Sequence, residues 1–176
     1  TGTPVVLVLM SGRPLTVTWA GEHVPAILQA WHGGIRTGRA IADILSGAVN
    51  PSGKLSVSFP RTVGQIPVYY AHKNTGRPAL GAGTTQFTDP FRSTWIDEVN
   101  DPLYPFGFGL SYTCFTYEQL QVATPRVKRD ENLVVSAMVS NTGARAGEEI
   151  VQLYVRDLVG SVTRPVKELK GFQKVA

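Results

Sequence analysis

Apolar residues change their spacing several times along the 176 positions of this chain. Val5-Val-Leu-Val-Leu-Met10 is an unbroken apolar run, the pattern of a parallel strand covered on both faces. Ser11-Gly-Arg-Pro14 predicts a turn, and Leu15, Val17 and Trp19 alternate with threonines as an edge strand would. From Pro25, the residues Ile27, Leu28 and Trp31 fall at helical spacing and predict a helix ended by Gly33-Gly34. Thr37 is placed to cap a second helix, with Ala40, Ile41, Ile44 and Leu45 as its apolar face and Gly47 as its stop. Asn50-Pro-Ser-Gly53 predicts a turn, and Lys54–Phe59 alternates as a strand closed by Pro60.

Between Gly64 and Asp101 the periodicity fades, although Gln65–Tyr70, Thr75–Pro78 and Gly81–Thr85 carry aromatics, glycines and prolines. So long an irregular stretch is uncommon unless it is functional or wraps a neighbour. Leu103–Thr113 then packs Tyr104, Phe106, Phe108 and Tyr112 around Pro105, Gly107 and Gly109, a tightly prescribed backbone path that predicts a domain junction. Beyond it only period-two patterns remain. Phe115–Val122, Leu133–Val139, Glu149–Val155 and Val166–Phe172 predict four strands, with Asn141-Thr-Gly143 turning one pair and no helix between 132 and 156. Leu133, Val135, Ala137 and Val139 share one face, opposite Ser136 and Ser140. The expected architecture is an α/β layered sandwich over 1–113, then a partial all-β sandwich over 114–176 with fewer strands than the roughly seven of a whole one.

Composition narrows the chemistry. A net charge of +4 with scattered Lys and Arg gives no basic stripe for nucleic acid, and Arg126-Val-Lys-Arg129 reads as a solvated turn. No apolar run reaches the roughly 18 residues of a membrane helix. Cys114 is the only cysteine and reads as a small buried hydrophobe. His23, His32 and His72 lack metal-ligand spacing, so no metal site and no cofactor are expected. No serine sits in a nucleophile elbow, and Gly33–Gly38 lacks the Lys-Ser/Thr ending of a phosphate loop. Asp43 reads as a surface or tethering residue, and Asp97, Glu98 and Asp101 as partners in salt bridges or turns. A core strand so close to the first residue, and an end inside a strand pattern, read as a segment of a longer protein.

The ordered set Gly12-Arg13-Pro14, Trp31, Ala40–Leu45, Asn50-Pro-Ser-Gly-Lys-Leu55, Thr75-Gly-Arg-Pro78, Pro102–Gly107, Asn141–Gly143 and Arg164–Phe172 resembles the glycoside hydrolase family 3 β-glucosidases. The resemblance implies the C-terminal part of an α/β sandwich domain joined to the start of a fibronectin type III-like domain. It also implies a retaining enzyme that cleaves terminal β-linked sugars from oligosaccharides through a glycosyl-enzyme intermediate. In that family the nucleophilic aspartate belongs to an N-terminal barrel and the acid/base glutamate lies upstream of Val5. No catalytic residue is therefore carried over, and the segment alone is expected to be inactive. Where many members have glutamate, this chain has Arg36, an inverted charge at a helix start. The resemblance further implies a β-linked glycoside as substrate, a barrel domain as partner, and a periplasmic or secreted location. The alternative is a non-catalytic carbohydrate-binding or adhesive module, with a purely structural domain as a third reading. Candidates for substrate binding or domain contact are Arg77, Trp95 and Tyr70 in the long loop, and His32 beside the glycine pair, since aromatic faces stack on sugars and guanidinium holds hydroxyls.

Overall fold

A computed structural model describes residues 2–78, 91–128 and 130–176. It holds a mixed α/β segment followed by β-strands. Strand β1 (Val6–Leu9) pairs in parallel with β2 (Ala26–Gln29), Val6 opposite Ala26 and Leu9 opposite Gln29. Helix α1 (Thr18–His23) makes the crossover. Two departures from the expected pattern lie here. Leu15–Trp19 is not an edge strand, because the chain turns helical at Thr18 and Trp19 stacks on His23 one turn later, 4.8 Å between ring centres. The run after Pro25 is a strand rather than a helix. Four apolar-rich residues are too few for periodicity to decide, and pairing with β1 decides instead.

Helix α2 (Thr37–Leu45) follows a single 3₁₀ turn, Gly34–Arg36. Thr37 does not cap it: its hydroxyl donates to the Gly34 carbonyl at 2.6 Å and so closes the preceding turn. Gly47, at φ 76°, stops α2 in the left-handed region open to glycine. Asp43 is held by Arg39 one turn earlier, 3.0 Å away.

Lys54–Phe59 does not enter a sheet of its own. It runs antiparallel to the aromatic junction, with backbone bonds from Leu55 N–H to Phe108 O and from Phe59 N–H to Tyr104 O, both 2.8 Å. The buried centre lies at this pairing, around Ser58, Phe59 and Pro60, with the Trp31 and Tyr104 rings about Phe59.

The four later strands form two antiparallel pairs. Strand β3 (Phe115–Val122) pairs with β4 (Val135–Asn141), and β5 (Glu149–Val155) with β6 (Glu168–Val175), each with one irregularity in register. The described residues between 132 and 156 hold strands and no helix. Asn141-Thr-Gly143 does not turn a hairpin: it leads from one pair to the other, and its Asn141 Oδ1 accepts the Gly143 N–H at 3.1 Å. Val135 and Val139 are half-buried, whereas Leu133 lies before β4 and is exposed. Cys114 is exposed, contrary to the buried role expected of it. Its carbonyl accepts the Thr142 N–H at 2.8 Å, which fixes the backbone while the thiol faces outward.

Candidate functional site

The densest set of polar side chains lies where the α/β segment, the junction and β5 meet. Lys54, from the alternating stretch after Asn50-Pro-Ser-Gly53, places Nζ 3.1 Å from Glu149 Oε1 at the start of β5, with side chains only 14 % and 10 % exposed. The same ammonium donates to the Gly109 carbonyl at 2.9 Å. Tyr117, on β3, donates its hydroxyl to Glu149 Oε1 at 2.9 Å. Burial pushes the Tyr117 hydroxyl up to about 12, and the bond to Glu149 and its charge push the same way. A charge pair so removed from water is held because each member has a second partner.

Asn50 ties a further corner. Its Oδ1 accepts the Ser111 hydroxyl at 2.9 Å and the Tyr112 N–H at 2.8 Å, and its Nδ2 donates to Ala146 O at 3.0 Å. Tyr112 in turn donates to the Ile44 carbonyl at the end of α2, 2.9 Å away. Gly109 must be small, since a Cβ there would collide with the backbone carbonyl of Gly53. Asn50-Pro-Ser-Gly-Lys-Leu55 is therefore a clamp joining α2, the junction and the β4–β5 connection, and not a free turn.

The long loop is closed at its base and paired along its arms. Gln65, buried, donates Nε2 to the carbonyls of Val99 at 2.9 Å and Asp101 at 3.0 Å. Ser93 N–H bonds Arg77 O at 3.0 Å, and Glu98 lies 4.0 Å from Arg61. The expectations for Gly81–Thr85 and Phe87 fall outside the described residues. Tyr70 stacks on Phe106, 4.3 Å between ring centres, and meets Tyr154 of β5 edge-on at 5.8 Å. Nearby, Val166 N–H bonds His72 O at 2.9 Å, so this part of the loop lies against the second half of the chain. Arg77 sits apart, exposed, its guanidinium 5.5 Å from the Phe91 ring centre. Trp95 is exposed, with its backbone N–H bonded to Asn100 Oδ1 at 3.2 Å.

His32 lies outside the long loop, in the parallel-sheet part. It follows β2, and its Nε2 would stand 2.6 Å from a Cβ placed on Gly12, just past β1. The carboxyl ends of parallel strands are where open α/β sheets bind ligands, and Trp31 beside it holds φ 51°, unusual for a bulky residue. Arg77 and Trp95 are linked through Ser93 and Asn100, Tyr70 packs on Phe106 and Tyr154, and His32 follows β2. Sequence reasoning passed over Lys54, Glu149, Tyr117 and Asn50 as a functional group. Their only signal was the motif containing Asn50 and Lys54. No group of metal-ligating side chains occurs among the described residues, and none of their helices is long and apolar enough to cross a membrane.

Comparison with known proteins identifies the class. Residues 1–112 match the glycosyl hydrolase family 3 C-terminal domain, and 149–176 match a fibronectin type III-like domain. The chain belongs to glycosyl hydrolase family 3. It is 51 % identical to a periplasmic β-glucosidase of Salmonella typhimurium, over 99 % of this chain and 22 % of that protein. It is 44 % identical to a β-xylosidase of Formosa agariphila, over 99 % of this chain and 23 % of that protein. Among solved structures, the β-glucosidase of Listeria innocua with gluconolactone superposes at a TM-score of 0.91 and 45 % identity, over 99 % of this chain and 24 % of that one. The same enzyme has been solved with isofagomine and, as a mutant, with laminaribiose. The chain thus spans about a quarter or less of the relatives it matches and is part of a family 3 β-glucosidase-like protein.

Proposed function

We propose that this segment serves a retaining β-glucosidase that removes terminal β-linked sugars from oligosaccharides in the periplasm or outside the cell. The observation that carries the reading is the near-complete match of this chain to β-glucosidases, 51 % identical in one case, of which it is a minor C-terminal share. Both catalytic carboxylates then belong to the rest of the protein, and the segment contributes structure. It welds a C-terminal α/β sandwich part, 1–113, to a fibronectin type III-like part, 114–176, through the Asn50 and Lys54 contacts. Exposed apolar residues such as Val5, Val6 and Leu120 fit that role, as surfaces on which further parts of the protein pack. Tyr70 acts as a domain contact. Arg77, Trp95 and His32 face substrate or the barrel domain.

A xylose-specific variant is the second reading, favoured by the 44 % identity to a β-xylosidase. Kinetics decide. The full-length protein is expected to hydrolyse p-nitrophenyl β-glucoside faster than the β-xyloside, and the isolated 176-residue chain neither. Turnover by the isolated chain, or none of either substrate by the full-length protein, overturns the proposal.

A further inference from the structure

Beside the Lys54–Glu149 pair lies an open hollow of about 320 Å³, lined by the aromatic junction, β5, Tyr117 of β3 and Lys167 just before β6. Its volume is near the lower end for small-ligand sites, about 300 Å³, but it is open to solvent and would hold a ligand against one face only. Its walls combine aromatic faces with hydrogen-bonding groups that the fold leaves partly unused. Phe106 and Tyr154 line it, as does Phe108, which stays 37 % exposed despite stacking on Tyr104.

Three polar atoms keep capacity to spare. Glu149 receives Lys54 and Tyr117 on Oε1 alone, and its Oε2 takes no hydrogen bond from any described residue. Tyr154 spends its proton on Gln152 Oε1 at 2.5 Å, which leaves its oxygen an acceptor. The Lys167 ammonium lies 5.5 Å from the Tyr154 ring centre and pairs with no carboxylate among the described residues. Aromatic faces beside one carboxylate oxygen, one phenol oxygen and one ammonium match a pyranose, which is apolar on its C–H faces and carries hydroxyls at its rim. A fixed anion would be opposed by Glu149. One tethered carboxylate provides no acid–nucleophile pair, so the site binds and does not cleave. Burial raises the hydroxyl pKa of both Tyr117 and Tyr154 above the ordinary value, in keeping with a partly desolvated wall.

We propose that this cavity binds one neutral pyranose unit of a β-linked oligosaccharide, with Lys167 donating to a hydroxyl, Glu149 Oε2 accepting from one, and Phe108 under the ring. The choice of sugar rests on the glycosidase reading above. The test is calorimetric titration of the full-length protein with laminaribiose while isofagomine is held at saturation. A binding event that persists under isofagomine is expected, weakened at least tenfold by Lys167→Ala and by Phe108→Ala and retained by Lys167→Arg. Absence of that event, or its survival in both alanine variants, overturns the proposal. Failure of isofagomine to bind at all would instead count against the glycosidase reading, and the laminaribiose titration would then judge the cavity alone.

Discussion

Replacing Lys54 with methionine removes the ammonium while keeping most of the length of the stem. Glu149, with a side chain 10 % exposed, would then keep only the Tyr117 hydroxyl as partner for its charge. Removing one member of a buried pair costs about 3–5 kcal/mol, because the remaining charge is stranded. Loss of the bond to Gly109 O adds about 1 kcal/mol. Against this, the retained Tyr117 bond and the residual exposure of the pair lower the cost, so a net loss of about 2–4 kcal/mol is expected. The double variant Lys54→Met/Glu149→Leu removes the stranded charge and is expected to recover at least half of that loss, since apolar replacement of a buried pair is often close to neutral. Urea unfolding of the full-length protein, followed by tryptophan fluorescence, measures both through the shift in midpoint at constant slope. A loss below about 1 kcal/mol for Lys54→Met, or a double variant as unstable as the two singles added together, would refute a desolvated, coupled pair.

The Tyr117 hydroxyl ionises in an unfolded chain near 10.0 but in the fold only near about 12. Its contribution is therefore fully present below pH 10 and is lost as pH rises to about 12. Tyr117→Phe is expected to flatten that alkaline part of the stability profile, and an unchanged profile would contradict it. Gly109→Ala forces a Cβ onto the Gly53 carbonyl and is expected to cost about 1–3 kcal/mol in the same urea assay. Arg77→Ala and Trp95→Ala, both at exposed positions, are expected to raise KM in the full-length enzyme with less than about 0.5 kcal/mol change in stability, and wild-type kinetics for both would leave the loop without a part in substrate binding.

What could be seen of the fold in the sequence follows from how local each element is. Helix α2 is nine residues long with a regular apolar stripe and a glycine stop, so its own periodicity specifies it. The later strands carry seven or eight residues each, enough for alternation to repeat several times. Strand β2 has only four, and Ile27 and Leu28 fit either period. What settles it is the neighbouring strand β1, a partner that no window around Pro25 contains. The same limit explains why Lys54–Phe59 has strand-like alternation yet pairs with the junction through isolated backbone bonds rather than a ladder.

The candidate site was less visible for a related reason. Arg77, Trp95 and Tyr70 stand out in the sequence because aromatic and guanidinium groups advertise binding chemistry wherever they occur. Lys54 and Glu149 carry no such mark, since an isolated Lys or Glu is nearly always a solvated surface residue. They acquire meaning only when a tight backbone approach, with no room for a side chain on Gly109, draws the Asn50–Leu55 motif and the junction together and excludes water from the pair. Tyr70 shows the converse. Its ring chemistry suits a sugar, yet the structure spends that ring on Phe106 and Tyr154, where an edge contact holds the loop to β5. The motif glycines and the lysine thus act together: the glycines set the spacing, and that spacing turns an ordinary lysine into a buried tie between the two halves of the chain.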